Sequence, residues 1–152
     1  MAEFRLSAEH QRFASWARAT AAEHLTPLAR HDGRVNRPLL KAMGDLGLLR
    51  AVFGGTGDQP PRDAAALQLC LLREAIAQVS GEAETALALQ GLGSYPILQS
   101  GTPELAARWI PRIVTGEAAA AFALSEPGAG SDAAALGLGA EPDGDGWRVT
   151  GV

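Results

Sequence analysis

The chain has 152 residues, 47% hydrophobic and 20% charged, with a formal net charge of -4 at pH 7. That balance excludes a disordered chain, and its scattered arginines do not form the basic stripe that a nucleic-acid surface needs. No run approaches the roughly eighteen apolar residues of a membrane span, and Met1-Ala2-Glu3-Phe4-Arg5 lacks the apolar core of a secretion signal, so the expected compartment is the cytoplasm.

The pattern from about Ala8 to Ala29 predicts a long first helix with Phe13, Trp16, Ala17, Thr20 and His24 on one face. Asn36 is placed to cap a second helix, with Pro38 tolerated in its first turn. Leu39, Leu40, Met43 and Leu46 form its buried stripe, and Gly47 offers the stop. Phe53-Gly54-Gly55-Thr56-Gly57-Asp58 reads as a turn. Its glycines resemble a nucleotide loop, but no Lys-Ser or Lys-Thr follows and the helix signal resumes only after Pro60 and Pro61.

A third helix, about Arg62 to Val79, would bury Leu67, Cys70, Leu71, Ile76 and Val79, which makes the single cysteine a core thiol rather than a nucleophile or metal ligand. The fourth, about Glu82 to Leu98, is rich in alanine and leucine on nearly every side, as suits a helix enclosed by others. Thr102 caps a fifth, with Pro103 at its first position and Leu105, Ala106, Trp109, Ile110 and Ile113 facing inward. Gly116 ends it.

Character changes there. Ala118 to Leu124 is a short apolar run that reads as a strand, and Trp147-Arg148-Val149-Thr150 alternates as a strand after the turn signal Pro142-Asp143-Gly144-Asp145-Gly146. The expected class is α+β: an all-α bundle over residues 1–117, then the first strands of a barrel-like β-domain over 118–152. Two strands with an open edge do not stand alone, so the chain reads as the amino-terminal part of something larger.

Ser125-Glu126-Pro127-Gly128-Ala129-Gly130-Ser131-Asp132 carries the densest chemistry. Its Gly128-x-Gly130-x-x-Ala133 spacing loosely matches a dinucleotide fingerprint, but Gly137 and Gly139 break the following helix after about one turn, and no carboxylate stands at the expected distance of about twenty residues. Gly128 and Gly130 open backbone conformations closed to other residues, so that successive N–H groups can face an anion. Ser125 and Ser131 add hydroxyl donors. Glu126 and Asp132 would repel a phosphate, and are expected to cap local N–H groups or pair with arginines from elsewhere. A rigid connection without a ligand is the plain alternative.

The stretch Phe122-Ala123-Leu124-Ser125-Glu126-Pro127-Gly128-Ala129-Gly130-Ser131-Asp132 resembles the signature of the acyl-CoA dehydrogenases. Leu46-Gly47-Leu48, the Phe53-Gly54-Gly55-x-Gly57 turn, Tyr95-Pro96-Ile97, Gly101-Thr102-Pro103-Glu104, Trp109-Ile110-Pro111-Arg112 and Gly116-Glu117 agree in order. The resemblance implies a helical amino-terminal domain, a middle β-domain and a carboxy-terminal bundle outside this chain. It implies FAD as cofactor, with Phe122 beside flavin and substrate, Leu124 and Ser125 at the pyrimidine edge, and Ser131 toward the diphosphate and the substrate. Thr85, Ala88 and Leu89 of the fourth helix would floor the acyl pocket; small apolar residues there also serve plain packing. The reaction implied is α,β-dehydrogenation of an acyl thioester to the 2,3-enoyl thioester, with an electron-transfer flavoprotein or similar acceptor and a homo-oligomer, dimer or tetramer. The catalytic glutamate belongs to the carboxy-terminal region, so no catalytic residue is nominated here, and no metal. The sequence departs from the family at Arg50-Ala51-Val52-Phe53, where many members carry Pro-Glu-Glu-Tyr. Alternatives are a relative acting on carrier-protein thioesters, an oxidase using O2, or a non-catalytic helical subunit completed by another chain.

Overall fold

A computed structural model describes residues 5–30, 32–53 and 66–151. The predicted turn from Gly54 to Asp58 and the predicted start of the third helix at Arg62 lie outside the described residues. The chain divides into two compact units, Met1–Ala121 and Phe122–Val152.

In the first unit, α1 (Ala8–Thr20) is capped by Ser7, whose hydroxyl accepts the His10 N–H at 3.2 Å. The expected single helix changes geometry at its end, passing through a π-type turn at Ala21–Leu25 and a 3-10 turn at Thr26–Leu28. The buried line is Ala17, Ala21 and Leu25, while Trp16 and His24 are exposed rather than inward as expected. Residues four apart drift by about 40° on an α-helix; the wider turn cancels part of that drift and keeps Leu25 beneath Ala21.

Asn36 caps α2 (Arg37–Asp45) as expected, its Oδ1 accepting the Leu39 N–H at 3.1 Å. Its Nδ2 donates to the Leu28 carbonyl at 2.8 Å and to Glu82 at 2.9 Å, and the other Glu82 oxygen accepts the Arg30 N–H. One buried amide thus ties the loop before α2 to the start of the long helix that begins at Gly81. Gly47, at φ +75°, stops α2, and a short α3 (Leu48–Val52) follows that the sequence did not announce.

On α4 (Ala66–Ala77) the buried face is Leu71, Leu72, Ala75 and Ile76, packed mainly against α1. Cys70 sits nearly opposite the centre of that face at ~100° per residue, which corrects the expectation of a buried thiol: it is exposed, as is Leu67. The long α5 (Gly81–Ser100) starts at Ser80, whose hydroxyl accepts the Ala83 N–H at 3.2 Å. It is not enclosed on all sides. Ala83, Leu87, Gln90 and Ser94 are buried, whereas Leu89, Leu92 and Tyr95 are exposed, because the helices it packs against cover one side of it.

Thr102 caps α6 (Pro103–Val114) by accepting the Leu105 N–H at 3.3 Å, and Ile110, Ile113 and Val114 enter the core; Leu105 stays exposed. The Arg108 and Arg112 guanidiniums each lie 5.2 Å from the centre of the Trp109 ring, a cation–π geometry. Hydrogen bonds from the Glu104 backbone and from Thr102 hold the exposed Glu104 carboxyl below its ordinary pKa of 4.5. After α6 the chain turns at Gly116, φ +72°. A Cβ there would stand 2.1 Å from the Leu40 carbonyl oxygen, and one at Gly44 would stand 2.3 Å from Thr115. The end of α6 and the middle of α2 therefore meet backbone to backbone. The run Ala118 to Leu124 is not a paired strand among the described residues: the two strands present pair with each other.

In the second unit, β1 (Gly139–Asp143) pairs antiparallel with β2 (Gly146–Thr150) around Gly144-Asp145. Gly144 alone has positive φ (+61°), the pattern of a type II′ hairpin turn. Pro142 faces Trp147 and Ala140 faces Val149, so the hairpin has one apolar side, while Arg148 pairs with Asp143 at 2.8 Å. An all-α bundle followed by antiparallel strands is the architecture the sequence led one to expect.

Replacing Gly116 by alanine combines left-handed backbone strain of about 1–2 kcal/mol with overpacking of about 1–3 kcal/mol. Urea denaturation of the full-length protein is expected to show a loss of about 3 kcal/mol for Gly116→Ala. Gly33→Ala, also at positive φ but with nothing within 4 Å, should lose only about 1 kcal/mol. Equal losses would refute the close-contact explanation. Because the folded-state pKa of Glu104 is depressed, its contribution is present above the ordinary carboxylate value and disappears as pH falls through the lowered one. Glu104→Gln should flatten that part of the acid-side stability curve.

Candidate functional site

In the second unit the signature stretch folds into a tight turn. Glu126 N–H donates to the Ala129 carbonyl at 2.9 Å, and Ala129 N–H returns to the Glu126 carbonyl at 3.1 Å. Pro127 pre-sets the first central position. Neither Gly128 nor Gly130 has positive φ, so the expectation of conformations closed to other residues is corrected: this is an ordinary reciprocal turn that needs no left-handed residue. What the glycines do leave is space, since a Cβ at either would meet nothing within 4 Å.

Both carboxylates are engaged locally, as expected. Glu126 accepts the Gly137 N–H at 2.7 Å and the Leu138 N–H at 2.9 Å, one on each oxygen. Asp132 caps a single 3-10 turn, Ala133–Ala135, by accepting the Ala134 N–H at 3.2 Å. That one turn, with no longer helix behind it, agrees with the case against a dinucleotide fingerprint. Beside these engaged carboxylates the turn also carries hydrogen-bond donors. Ser125 and Ser131 are exposed, and among the described residues their hydroxyls and backbone N–H groups have no partner. Phe122 and Leu124 are also part-exposed, at 39% and 40%. Neutral donors beside apolar side chains suit a ligand with a flat apolar body and carbonyl or phosphate oxygens at its edge. The isoalloxazine and diphosphate of FAD have that chemistry, so the residues present fit the group.

The other nominated residues belong to the first unit. Thr85 and Leu89 are exposed on α5 and share a groove of about 540 Å³, whose wall includes Val35, Leu40 and Ala120. Ala88, between them in sequence, opens instead into a separate and mostly apolar groove with Val52, Phe53, Leu92 and Tyr95. The three therefore do not line one surface, because Ala88 is rotated by about 100° from Leu89.

One residue in the first groove escaped the sequence reading. Gln90 is 3% exposed. Its Oε1 accepts the Ala120 N–H at 2.8 Å and its Nε2 approaches the Ala120 carbonyl at 3.4 Å. The available signal was a lone amide in an alanine–leucine helix: a buried polar side chain needs partners, and partners imply a neighbouring backbone.

Comparison with known proteins shows the family of the chain. The family profile described as acyl-CoA dehydrogenase, N-terminal domain, matches residues 7–117. The chain is 35% identical over 143 residues to a cyclohexane-1-carbonyl-CoA dehydrogenase of Geobacter metallireducens, covering 89% of this chain and 36% of that protein. Its fold is similar to the crystal structure of a glutaryl-CoA dehydrogenase from Mycobacterium smegmatis, with a TM-score of 0.79, 26% identity, and 96% of this chain covering 38% of that one. It is also similar to the butyryl-CoA dehydrogenase of Megasphaera elsdenii, with a TM-score of 0.76, 27% identity, and coverage of 98% and 40%. The chain thus spans about two-fifths of the length of the proteins it matches.

Glu126→Ala should release the Gly137 and Leu138 amides. Hydrogen exchange at both is expected to accelerate by roughly tenfold or more, from the loss of charge-assisted bonds. Unchanged protection at both amides would show that the carboxylate does not hold this turn.

Proposed function

The chain belongs to the acyl-CoA dehydrogenase family, and from that premise we propose that it is the amino-terminal part of an FAD-dependent enzyme that converts an acyl thioester to its 2,3-enoyl thioester. The observation that carries this reading is the donor surface of the signature turn: Ser125 and Ser131 have no partner among the described residues, while Glu126 and Asp132 are already engaged with backbone N–H groups. Bound against it, FAD would supply the acceptor for a hydride from the substrate β-carbon. Leu124 and Ser125 contribute backbone N–H groups, and Ser125 a hydroxyl, toward the pyrimidine edge. Donors there favour negative charge on the reduced ring, which is where charge develops during the transfer. Ser131 donates to phosphate or thioester oxygens. Phe122 covers the reacting region with an apolar ring and excludes water.

Glu126 and Asp132 are not assigned the proton abstraction at the α-carbon. A general base must sit within hydrogen-bond reach of its proton, and both carboxylates instead accept backbone N–H groups of their own turn. That role falls to a carboxylate elsewhere in the full protein. Thr85 and Leu89 offer walls for the acyl chain, and Ala88 acts as packing or as a second, separate wall. The substrate is coenzyme A-linked or carrier-protein-linked, the electron acceptor is an electron-transfer flavoprotein or an equivalent, and the assembly is a homo-oligomer.

Full-length protein reconstituted with FAD is expected to show flavin absorbance that bleaches anaerobically on addition of an acyl-CoA. Parallel additions of carrier-protein thioesters distinguish the two carriers. A colourless protein after reconstitution would sink the proposal. Ser125→Ala should lower kcat by about ten- to a hundredfold, the worth of one donor to a developing charge, with the α-helical circular dichroism unchanged.

A further inference from the structure

We propose that Arg30 and Arg34 form the anion-binding end of the groove along α5, whose ligand is a thioester with its aliphatic part beside Thr85 and Leu89; this deepens the functional reading above and rests on it. Every residue of the groove lies in the first unit. Hydrogen bonds to α5 mark its two ends. Arg30 N–H donates to Glu82 near the start of the helix, and Ala120 is bonded to Gln90. Eight residues of helix between those points rise about 12 Å. The loop that carries both arginines is held at each side by the same carboxylate, since Glu82 accepts Arg30 N–H on one oxygen and Asn36 Nδ2 on the other. The nearest other acid along that loop, Asp32, accepts the Arg34 N–H at 3.0 Å. These acids bond backbone and amide groups, and neither guanidinium has a hydrogen-bond or ion-pair partner among the described residues. In the lining two arginines stand against one carboxylate, Glu82. The far end is apolar, with Leu40, Leu89 and Ala119. A hydrocarbon chain alone gives two guanidiniums nothing to bind, whereas their planar forks match carboxylate and phosphate oxygens. A thioester ligand offers such a group in two places: the phosphates of coenzyme A, or a carboxylate at the far end of the acyl chain.

The test uses the full-length protein with FAD and follows turnover of octanoyl-CoA and of suberyl-CoA, which ends in a carboxylate. In the double variant Arg30→Gln, Arg34→Gln, KM should rise by about tenfold or more with kcat held within about twofold, the mark of lost ground-state binding. A rise with both substrates identifies the anion as a coenzyme A phosphate. A rise confined to suberyl-CoA identifies it as the distal carboxylate. The control Arg12→Gln, Arg37→Gln removes the same charge from exposed positions outside the groove. An equal rise in that control overturns the proposal, as does an unaltered KM for both substrates in the groove variant. If the parent protein fails to bleach with either thioester, the functional reading fails, and calorimetric titration with suberate and with coenzyme A decides the site separately. A Kd weakened by about tenfold in the groove variant upholds it. Equal Kd values, or no binding of either probe to the parent, overturn it.

Discussion

The chain leaving α6 runs so close to two helices that no side chain fits between them, and the bundle depends on that approach. Gly116 lies against the Leu40 carbonyl of α2, Gly44 of α2 lies against Thr115, and Gly93 of α5 lies against Ala121. Backbone groups that such close approach takes from water need partners. Gln90 meets that requirement at Ala120, and the Arg112 carbonyl meets it at the Ala118 N–H, 2.9 Å away. The exit from the bundle is therefore a seated segment with a defined direction, although it carries no regular secondary structure.

The same economy of polar groups recurs at both ends of the chain. Asn36 and Glu82 together serve two backbone donors and one backbone acceptor around the entrance to α2, and nothing charged is left over in the bonds they make. In the signature turn, Glu126 and Asp132 serve three backbone donors between them. The carboxylates of the turn are engaged with backbone N–H groups of their own loop. The groups left facing outward are neutral donors, and this is why the turn suits oxygen-rich ligand edges despite holding two acids.

Much of the fold was legible because the relevant signals are local. The caps at Asn36 and Thr102, the stop at Gly47 and the turn at Gly144-Asp145 each depend on a few adjacent residues, although the strand Gly139–Asp143 before that turn was not read. The local capping by Glu126 and Asp132 was legible for the same reason, since it follows from side-chain reach, whereas the backbone conformations of Gly128 and Gly130 were not. What could not be read was azimuth. Cys70 and Leu67 were placed inward because apolar content alone does not say which side of a helix meets a neighbour. Leu89, Leu92 and Tyr95 were placed in an enclosed helix because alanine and leucine look alike on every face. The π-type turn at Ala21–Leu25 shifted the first helix's inner face by a fraction of a turn, beyond the reach of a fixed period.

By itself the sequence determined the main helices, most of their caps and stops, the family and the residue types available in the signature turn. These depend on residues within hydrogen-bond reach along the chain. Only the tertiary structure decided that Thr85 and Leu89 share a groove that Ala88 does not. It alone decided that Ala118 to Leu124 forms no paired strand among the described residues, and that Gln90 grips Ala120 across thirty residues of sequence. The physical reason is the same in each case: which face is buried, and which backbone lies beside it, are properties of two elements at once, and no single element's pattern contains them.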